Sequence, residues 1–170
     1  SPMPLTRLNL RMTTRTLKGT APNVRVPITV EVARKDIAVD PKNESLANTV
    51  RLTYVALDLS GNVKAKGFKR MDVPIKTDTR QTIADRGLRL VMEIELPPGR
   101  YQLRVAAESA LYAKEGSLHY DVEIPDFTKG DLNLTGVMLS VEPNIPVAGG
   151  ERLGAVVPVL PTSRREFWPG

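Results

Sequence analysis

The feature that most restricts the fold of this chain is an alternation of apolar and polar residues with a period of two. Its clearest instance is Val24–Val32, where apolar residues occupy every second position and polar residues or proline lie between them. Successive side chains of a β-strand point to opposite faces, so this pattern predicts a strand with one buried face. Pro27 has no backbone N–H, which predicts that one side of this strand meets a sheet edge or a bulge.

The same alternation recurs along the chain and predicts about seven or eight strands. The predicted strands cover residues 5–15, 24–32, 50–59, 63–73, 88–96, 101–105, 116–124 and 132–141. Residues 50–59 are apolar on both faces, which predicts a central strand covered on both sides. The polar stretch 34–47 predicts a long loop, and residues 76–86 predict at most one helical turn before Gly87. A change of phase at Gly136 indicates a bulge.

A corner between two of these strands is the most specific local signal. Pro97, Pro98 and Gly99 force a tight turn, and Tyr101 begins the alternating strand that follows. In immunoglobulin-like sandwiches a tyrosine at this position hydrogen-bonds back to the backbone and fixes the crossing between the sheets. We therefore predict an all-β, immunoglobulin-like antiparallel β-sandwich with a structural corner at Pro98, Gly99 and Tyr101. Such a fold requires that inward residues of several strands share one interior: Val26, Ile28, Leu90, Leu103 and Val122.

Residues 1–142 are predicted to form this sandwich, and residues 143–170 a Pro/Gly-rich linker with the start of a truncated following domain. The chain opens without a basic segment or an apolar core of a signal peptide, so any targeting signal is expected upstream. Charges interrupt every long apolar run, which argues against insertion into a membrane. With no cysteine and only one histidine, disulfides and sites built from several Cys or His ligands are impossible.

The net charge of +5 raises the question of a polyanionic partner. Six arginines alternate with apolar neighbours, which predicts single outward positions on solvated sheet faces: Arg7, Arg11, Arg25, Arg51, Arg89 and Arg104. The densest basic cluster is Lys64, Lys66, Lys69 and Arg70, on one predicted hairpin strand. Lysines commonly protect exposed strand edges, and we favour this interpretation over a phosphate-binding track. Neither an aromatic stacking platform nor a recognition helix is evident, so no nucleic-acid partner is expected.

Three patterns resemble catalytic or metal sites without matching them. Asp58, Ser60 and Asn62 imitate an Asp-x-Ser-x-Ser metal motif, but a predicted strand follows where that motif needs a helix, so a turn is favoured. His119 occupies an outward strand position typical of a solvated histidine rather than a general base. Glu93 and Glu95 share one strand face, where cross-strand cations explain them without hydrolysis. No catalytic, cofactor or metal site is therefore predicted.

The segments 96–107, 115–118, 122–127 and 132–140, which include Pro98-Gly99-Arg100-Tyr101, resemble the C-terminal region of bacterial exported proteins described as VWFA-related. In that family, as the resemblance implies, a von Willebrand factor A-like domain precedes immunoglobulin-like sandwiches. Residues 160–167 look like the linker into a second sandwich. The resemblance implies an exported protein, whether periplasmic, cell-surface or secreted, and transfers no binding residue.

These observations predict a non-catalytic structural or interaction module that spaces or presents neighbouring domains of a larger exported bacterial protein. The expected partners are those neighbouring domains, together with another protein or a cell-surface glycan. A carbohydrate- or polyanion-binding sandwich that uses the basic stretch from Lys64 to Arg70 is the alternative. A hydrolase ranks last, because no nucleophile and base are paired in the sequence.

Overall fold

The computed structural model describes residues 3–33, Asp36, 46–75, Ile83, 87–110, 113–129 and 147–148. Within these residues the regular structure consists of nine strands. They are β1 (Leu10–Thr14), β2 (Leu17–Lys18), β3 (Val24–Val32), β4 (Leu46–Asp58), β5 (Val63–Ile75), β6 (Leu88–Leu96), β7 (Gly99–Ser109), β8 (Lys114–Ile124) and β9 (Val147–Ala148).

The strands form two sheets that face each other. The first sheet has the order β1-β3-β6-β9, with β2 also paired to β3, and the second has the order β5-β4-β7-β8. All pairings are antiparallel except that of β6 with β9, which is parallel over two residue pairs. The predicted fold class, an all-β antiparallel sandwich, is confirmed.

One apolar cluster fills the space between the sheets. Val26, Ile28 and Leu90 of the first sheet and Leu103 of the second are all fully buried in this cluster. Val122 is partly buried and packs against the same cluster from the edge strand β8. The predicted sharing of one interior is confirmed, and it follows from aliphatic side chains of two facing sheets leaving water together.

The proline in β3 lies where pairing on one side of that strand is interrupted. β1 pairs with β3 from Ile28 onwards, and β2 pairs with it only at Val24 and Arg25. Thr14 donates its hydroxyl to the Pro27 carbonyl at 2.8 Å, so this side of Pro27 faces β1. The N–H and C=O of a strand residue point to the same side of the strand. The N–H that Pro27 lacks would therefore point to the side of β3 where neither β1 nor β2 pairs with it, as predicted.

The prediction of one continuous strand over residues 5–15 is wrong. Thr6 forms an isolated bridge with Gly116 of β8, in the second sheet, whereas Leu10–Thr14 pairs with β3 in the first. The chain changes sheet at Asn9, whose backbone N–H and side-chain amide both donate to Asp36 Oδ2 at 2.8 Å. The alternation predicts which side chains are buried, but it does not predict which sheet a segment pairs with.

The hairpin β4–β5 confirms the predicted return strand, and β4 is central, between β5 and β7. Coverage of β4 on both sides, however, is wrong. Val55 and Leu57 on its outer face are only partly buried, and Leu59 in the turn is 83% exposed. On β8, Tyr120 lies opposite the buried Leu103 and so faces the inner side, but it is 37% exposed because β8 is an edge strand.

The Pro-Pro-Gly corner carries the chain from β6 in the first sheet to β7 in the second, as predicted. Tyr101 donates its hydroxyl to the Pro97 carbonyl at 3.0 Å. Gly99 has φ +154, and a Cβ there would lie 3.2 Å from the Tyr101 hydroxyl, so the ring packs directly over the glycine. Burial of the tyrosine raises its pKa above the ordinary value for a phenol.

Several predictions fall on other parts of the chain. The strand at 132–141, with its bulge at Gly136, lies outside the described residues. In the predicted linker 143–170 the structure describes Val147–Ala148, which pairs with Arg89 and Leu90 of β6. In the predicted helical turn before Gly87, the Gly87 N–H donates to the Ile83 carbonyl at 2.8 Å, as one helical turn requires.

Candidate binding surface

The four basic residues predicted to form one cluster do not share a face. Lys66 and Arg70 point away from the core and are exposed, whereas Lys69, opposite the buried Leu52, lies on the inner side of β5 and is partly buried. Lys64 lies at a register shift in the β4–β5 pairing, and its Nζ is 3.2 Å from Asp58 Oδ2. Strand β5 is at the edge of the second sheet, which agrees with edge protection by Lys.

A different cluster lies on the outer face of the second sheet, the face turned away from the core. Phe68, on β5 between Lys66 and Arg70, is 61% exposed. The guanidinium carbon of Arg51, on β4, lies 4.4 Å from the centroid of the Phe68 ring, a cation–π contact. We call Arg51, Lys66, Phe68 and Arg70 the basic-aromatic cluster. Sequence reasoning missed Arg51 and Phe68 as members, although their outward positions in the alternation carried the signal.

The cations of this cluster differ from several other strand cations in forming no ion pair with a described residue. Elsewhere on the strands Arg25 pairs with Glu93 at 2.7 Å and Arg100 with Glu123 at 3.5 Å. Among the described residues, no carboxylate forms an ion pair with Arg51, Lys66 or Arg70. Two exposed carboxylates share this face, Asp72 on β5 and Glu108 opposite Arg51, so the excess of positive charge is centred on Lys66 and Arg70.

At the other side of the same face the charges are mixed. A groove of about 510 Å³ runs between the ends of β4, β7 and β8, and both acidic and basic side chains line it. They include Arg100, Arg104, Asp121 and Glu123. His119, half-buried opposite Arg104, lies on this face but does not line the groove. Within the described part of the chain, no three His, Asp or Glu side chains come close enough together to hold a metal ion.

The Asp58 motif forms a turn, as predicted. The Asp58 carboxylate accepts hydrogen bonds from the backbone N–H groups of Ser60, at 2.9 Å, and Asn62, at 2.8 Å. The backbone N–H of Asn62, the Asn62 side-chain amide and the Lys64 ammonium lower the pKa of Asp58 to about 2. Gly61 completes the turn with φ +81, a conformation that favours glycine.

The predicted cation beside Glu93 is confirmed. Arg25 donates from Nε and Nη2 to the two carboxylate oxygens of Glu93, at 2.9 and 2.7 Å. This bidentate pair joins β3 to β6 on the outer face of the first sheet and gives the glutamate a structural role.

Arg89 contradicts the prediction that it would be solvated. Its side chain is 1% exposed, and its Nε donates to Glu31 Oε1 at 3.1 Å. Both terminal nitrogens, Nη1 and Nη2, are buried, and neither has a hydrogen-bond partner among the described residues. The alternation places Arg89 correctly on the outer face of β6, but that face is buried at this point.

Comparison with known proteins identifies no family. No family model matches the chain, and no curated protein matches it. One solved structure that it resembles is the X-ray structure of Northeast Structural Genomics Consortium target SoR45, at 8% identity and a TM-score of 0.36. The alignment covers 75% of this chain and 95% of that chain. The fold assignment therefore rests on the strand pairing described above. Separately, no helix among the described residues is long and apolar enough to cross a bilayer.

Proposed function

We propose that this chain is a non-catalytic structural or interaction module of a larger exported bacterial protein related to the VWFA-related proteins. It spaces or presents neighbouring domains and contacts them, or another protein, through the outer face of its second sheet. The observation that carries this proposal is the basic-aromatic cluster, where an exposed phenylalanine lies among three cations that form no ion pair with any residue the structure describes. Phenylalanine and arginine are both enriched at protein interfaces, and arginine is among the residues that contribute most binding energy there.

The strand order supports the immunoglobulin-like type of sandwich. In that type, strands A, B and E pair in one sheet and strands C, F and G in the other. Here β1, β3 and β6 are paired like strands A, B and E, and β4, β7 and β8 like strands C, F and G. Strand β5 lies beside β4, in the position of strand C′. The Tyr101 hydroxyl, bonded to Pro97 where β6 leads into β7, corresponds to the tyrosine at the E–F corner.

Site-specific photo-crosslinking in the parent protein tests the interaction role. A photo-reactive phenylalanine derivative replaces Phe68 on the second sheet and, as the matched control, Glu95 on the exposed part of the first sheet. We expect covalent adducts from position 68 to a neighbouring domain or another protein, and little from position 95. Equal yields at the two positions, or no adduct at position 68, would contradict the proposal.

The same cations also favour a second candidate function, the binding of a carbohydrate or polyanion. A heparin column tests it, because electrostatic retention falls with salt. The double variant Lys66→Glu with Arg70→Glu is compared with Arg11→Glu with Lys18→Glu, which changes net charge equally on exposed positions of the first sheet. Elution of both variants at the same salt concentration would show that the cluster is not the polyanion site.

A further inference from the structure

At the outer edge of β5, the residues whose backbone N–H and C=O groups point away from the sheet are also those that carry exposed charged side chains. Ala110 donates its N–H to the Thr49 carbonyl at 3.1 Å, so the odd-numbered residues of β4 bond towards β7. Strand residues alternate in the side to which their N–H and C=O point, so even-numbered residues of β4 bond towards β5. Tyr54 pairs with Gly67 and Leu52 with Lys69. The N–H and C=O groups of the intervening even-numbered residues of β5 therefore point outward, at the sheet edge.

Three of those outward-facing residues are Lys66, Phe68 and Arg70, the β5 members of the basic-aromatic cluster. Their side chains stand on the outer face, and all three residues are exposed. In the described part of the chain, no strand pairs with this side of β5. A strand added antiparallel here would form ladder hydrogen bonds with all three residues, and its own side chains would lie directly opposite theirs.

We propose that β5 accepts an extended strand from another protein, with an acidic residue, an apolar residue and a second acidic residue at alternate positions. The two carboxylates would lie opposite Arg70 and Lys66, and the apolar residue opposite Phe68. The proposal rests on the proposed function, for which it names the partner class. Arg51, stacked on Phe68, holds the ring from the neighbouring strand and adds positive charge to the same place.

The charges select the partner and exclude most other strands. A lysine on an edge strand discourages pairing with basic or purely apolar strands, because its ammonium group would lose water without gaining a partner. A strand with acidic residues opposite Lys66 and Arg70 would instead be attracted, because its carboxylates would pair with these two cations. Lys66 and Arg70 thus act as a filter for one class of strand rather than as a general block.

A second copy of this chain fits less well. Ser117 donates its N–H to the Leu5 carbonyl at 2.9 Å, so the odd-numbered residues of β8 face the other edge of the second sheet. Residues 5–8 cover that edge at Glu115 and Ser117, and His119, Asp121 and Glu123 continue it. Pairing these three with β5 would place Asp121 opposite Phe68 and His119 opposite a cation, so the partner is a different chain.

The test uses short synthetic peptides with the full 170-residue chain. One peptide carries Glu-Thr-Val-Thr-Glu flanked by threonines, and its isomer carries Glu-Glu-Thr-Val-Thr, with the same charge but broken alternation. Fluorescence anisotropy measures each Kd, and amide hydrogen exchange follows the N–H groups of Lys66, Phe68 and Arg70. We expect the alternating peptide to bind at least about tenfold more tightly and to slow exchange at those three amides.

Two sets of variants separate charge from backbone pairing. Lys66→Glu with Arg70→Glu should weaken the alternating peptide by about tenfold or more, whereas Arg11→Glu with Lys18→Glu should leave its Kd unchanged. Methylating the peptide nitrogens that face β5 should abolish binding, and methylating those that face away should not. The methylated peptides keep the protein unaltered, so the result does not depend on how a variant folds.

The alternative results overturn the strand proposal in recognisable ways. If heparin or polyglutamate binds with the same dependence on Lys66 and Arg70 but leaves the edge amides unprotected, the cluster binds polyanions instead. Sedimentation showing that the chain dimerises through β5 would identify a second copy as the occupant. If no peptide binds, strand addition is wrong, and crosslinking at position 68 decides separately whether the outer face contacts a partner.

Discussion

The two sheets of this sandwich share one core but differ in their outer faces. On the first sheet Thr13, Thr29 and Val91 point away from the core and are nevertheless buried, as is Arg89. On the second sheet the outward side chains of β5 are exposed, and Phe68 leaves more than half of its surface in water. At these positions the first sheet is therefore buried on both faces, whereas the second leaves the outer face of β5 exposed.

Two of the connections that carry the chain between the sheets lie within the described residues. Residues 5–8 run along β8 of the second sheet before the chain joins β3 of the first, and the Tyr101 corner carries the chain from β6 to β7. Neither connection lies beside β5, whose outer edge pairs with no strand in the described part of the chain. Substitutions on each outer face and at each connection therefore measure how much each contributes to stability.

The largest expected effect comes from placing a charge on each outer face. Val91 is 2% exposed on the first sheet, and Val63 is 54% exposed on the second. Val91→Asp should lower the free energy of unfolding by about 3 kcal/mol or more, because a buried carboxylate lacks water and a partner. Val63→Asp should change it by less than about 0.5 kcal/mol. Urea unfolding monitored by circular dichroism measures both, and similar losses would remove the distinction between the faces.

A smaller effect is expected where residues 5–8 lie on β8. A Cβ at Gly116 would lie 2.5 Å from the Leu8 carbonyl oxygen, which is backbone and has little freedom to move. Gly116→Ala should therefore cost about 2 kcal/mol and speed hydrogen exchange at the Leu8 N–H. Gly67→Ala is the control, since its Cβ would meet the Tyr54 ring at 2.9 Å, a side chain that rotates. Unchanged exchange at Leu8 would show that these residues do not depend on Gly116.

The corner between β6 and β7 should contribute less. Tyr101→Phe removes the hydroxyl that donates to the Pro97 carbonyl at 3.0 Å and keeps the ring over Gly99. We expect a loss of about 1 kcal/mol in the free energy of unfolding, the usual value for one such hydrogen bond. Tyr54→Phe, on the adjacent strand and also partly buried, is the comparison variant. Equal losses in the two would assign the effect to general packing rather than to the corner.

The smallest effect is expected at the β4–β5 turn and appears only in acid. The folded pKa of Asp58, about 2, lies below that of an unfolded aspartate, so its contribution to stability is complete above pH ~4. That contribution is lost as the pH falls through the folded value. The difference in Tm between the wild-type chain and Asp58→Asn should therefore shrink from pH ~5 to pH ~2. A difference independent of pH would contradict the assignment, as would an NMR titration that gave Asp58 an ordinary pKa.

Much of the sandwich could be predicted because its signals are local. The alternation in Val24–Val32 marked a strand and its core-facing side, and the proline-glycine corner with Tyr101 marked the crossing between sheets, because both depend on residues close in the sequence. The split of residues 5–15 could not be read in this way. Leu8 and Leu10 keep one alternation on both sides of Asn9, while their hydrogen-bonding partners lie more than twenty residues away on different sheets.

The candidate site shows the same limit. The basic stretch from Lys64 to Arg70 was visible in the sequence, but the bulge at Lys64 and the inward turn of Lys69 removed two of its four members. Arg51 joined the cluster because the β4–β5 register brings it beside Arg70. Arg89 and Arg51 both occupy outward positions in the alternation, yet one is buried and the other exposed.

The sequence by itself determined that this chain forms strands, which of their side chains share an interior, and where the chain turns between the sheets. Those properties depend on the two-residue period of a strand and on the backbone limits of proline and glycine, which act over a few residues. Only the tertiary structure decided which strands became edges, which outer face was buried, and which cations met around Phe68. Those outcomes depend on pairing between segments far apart in the sequence. The local alternation of residues does not specify the register of that pairing or which segments cover a face.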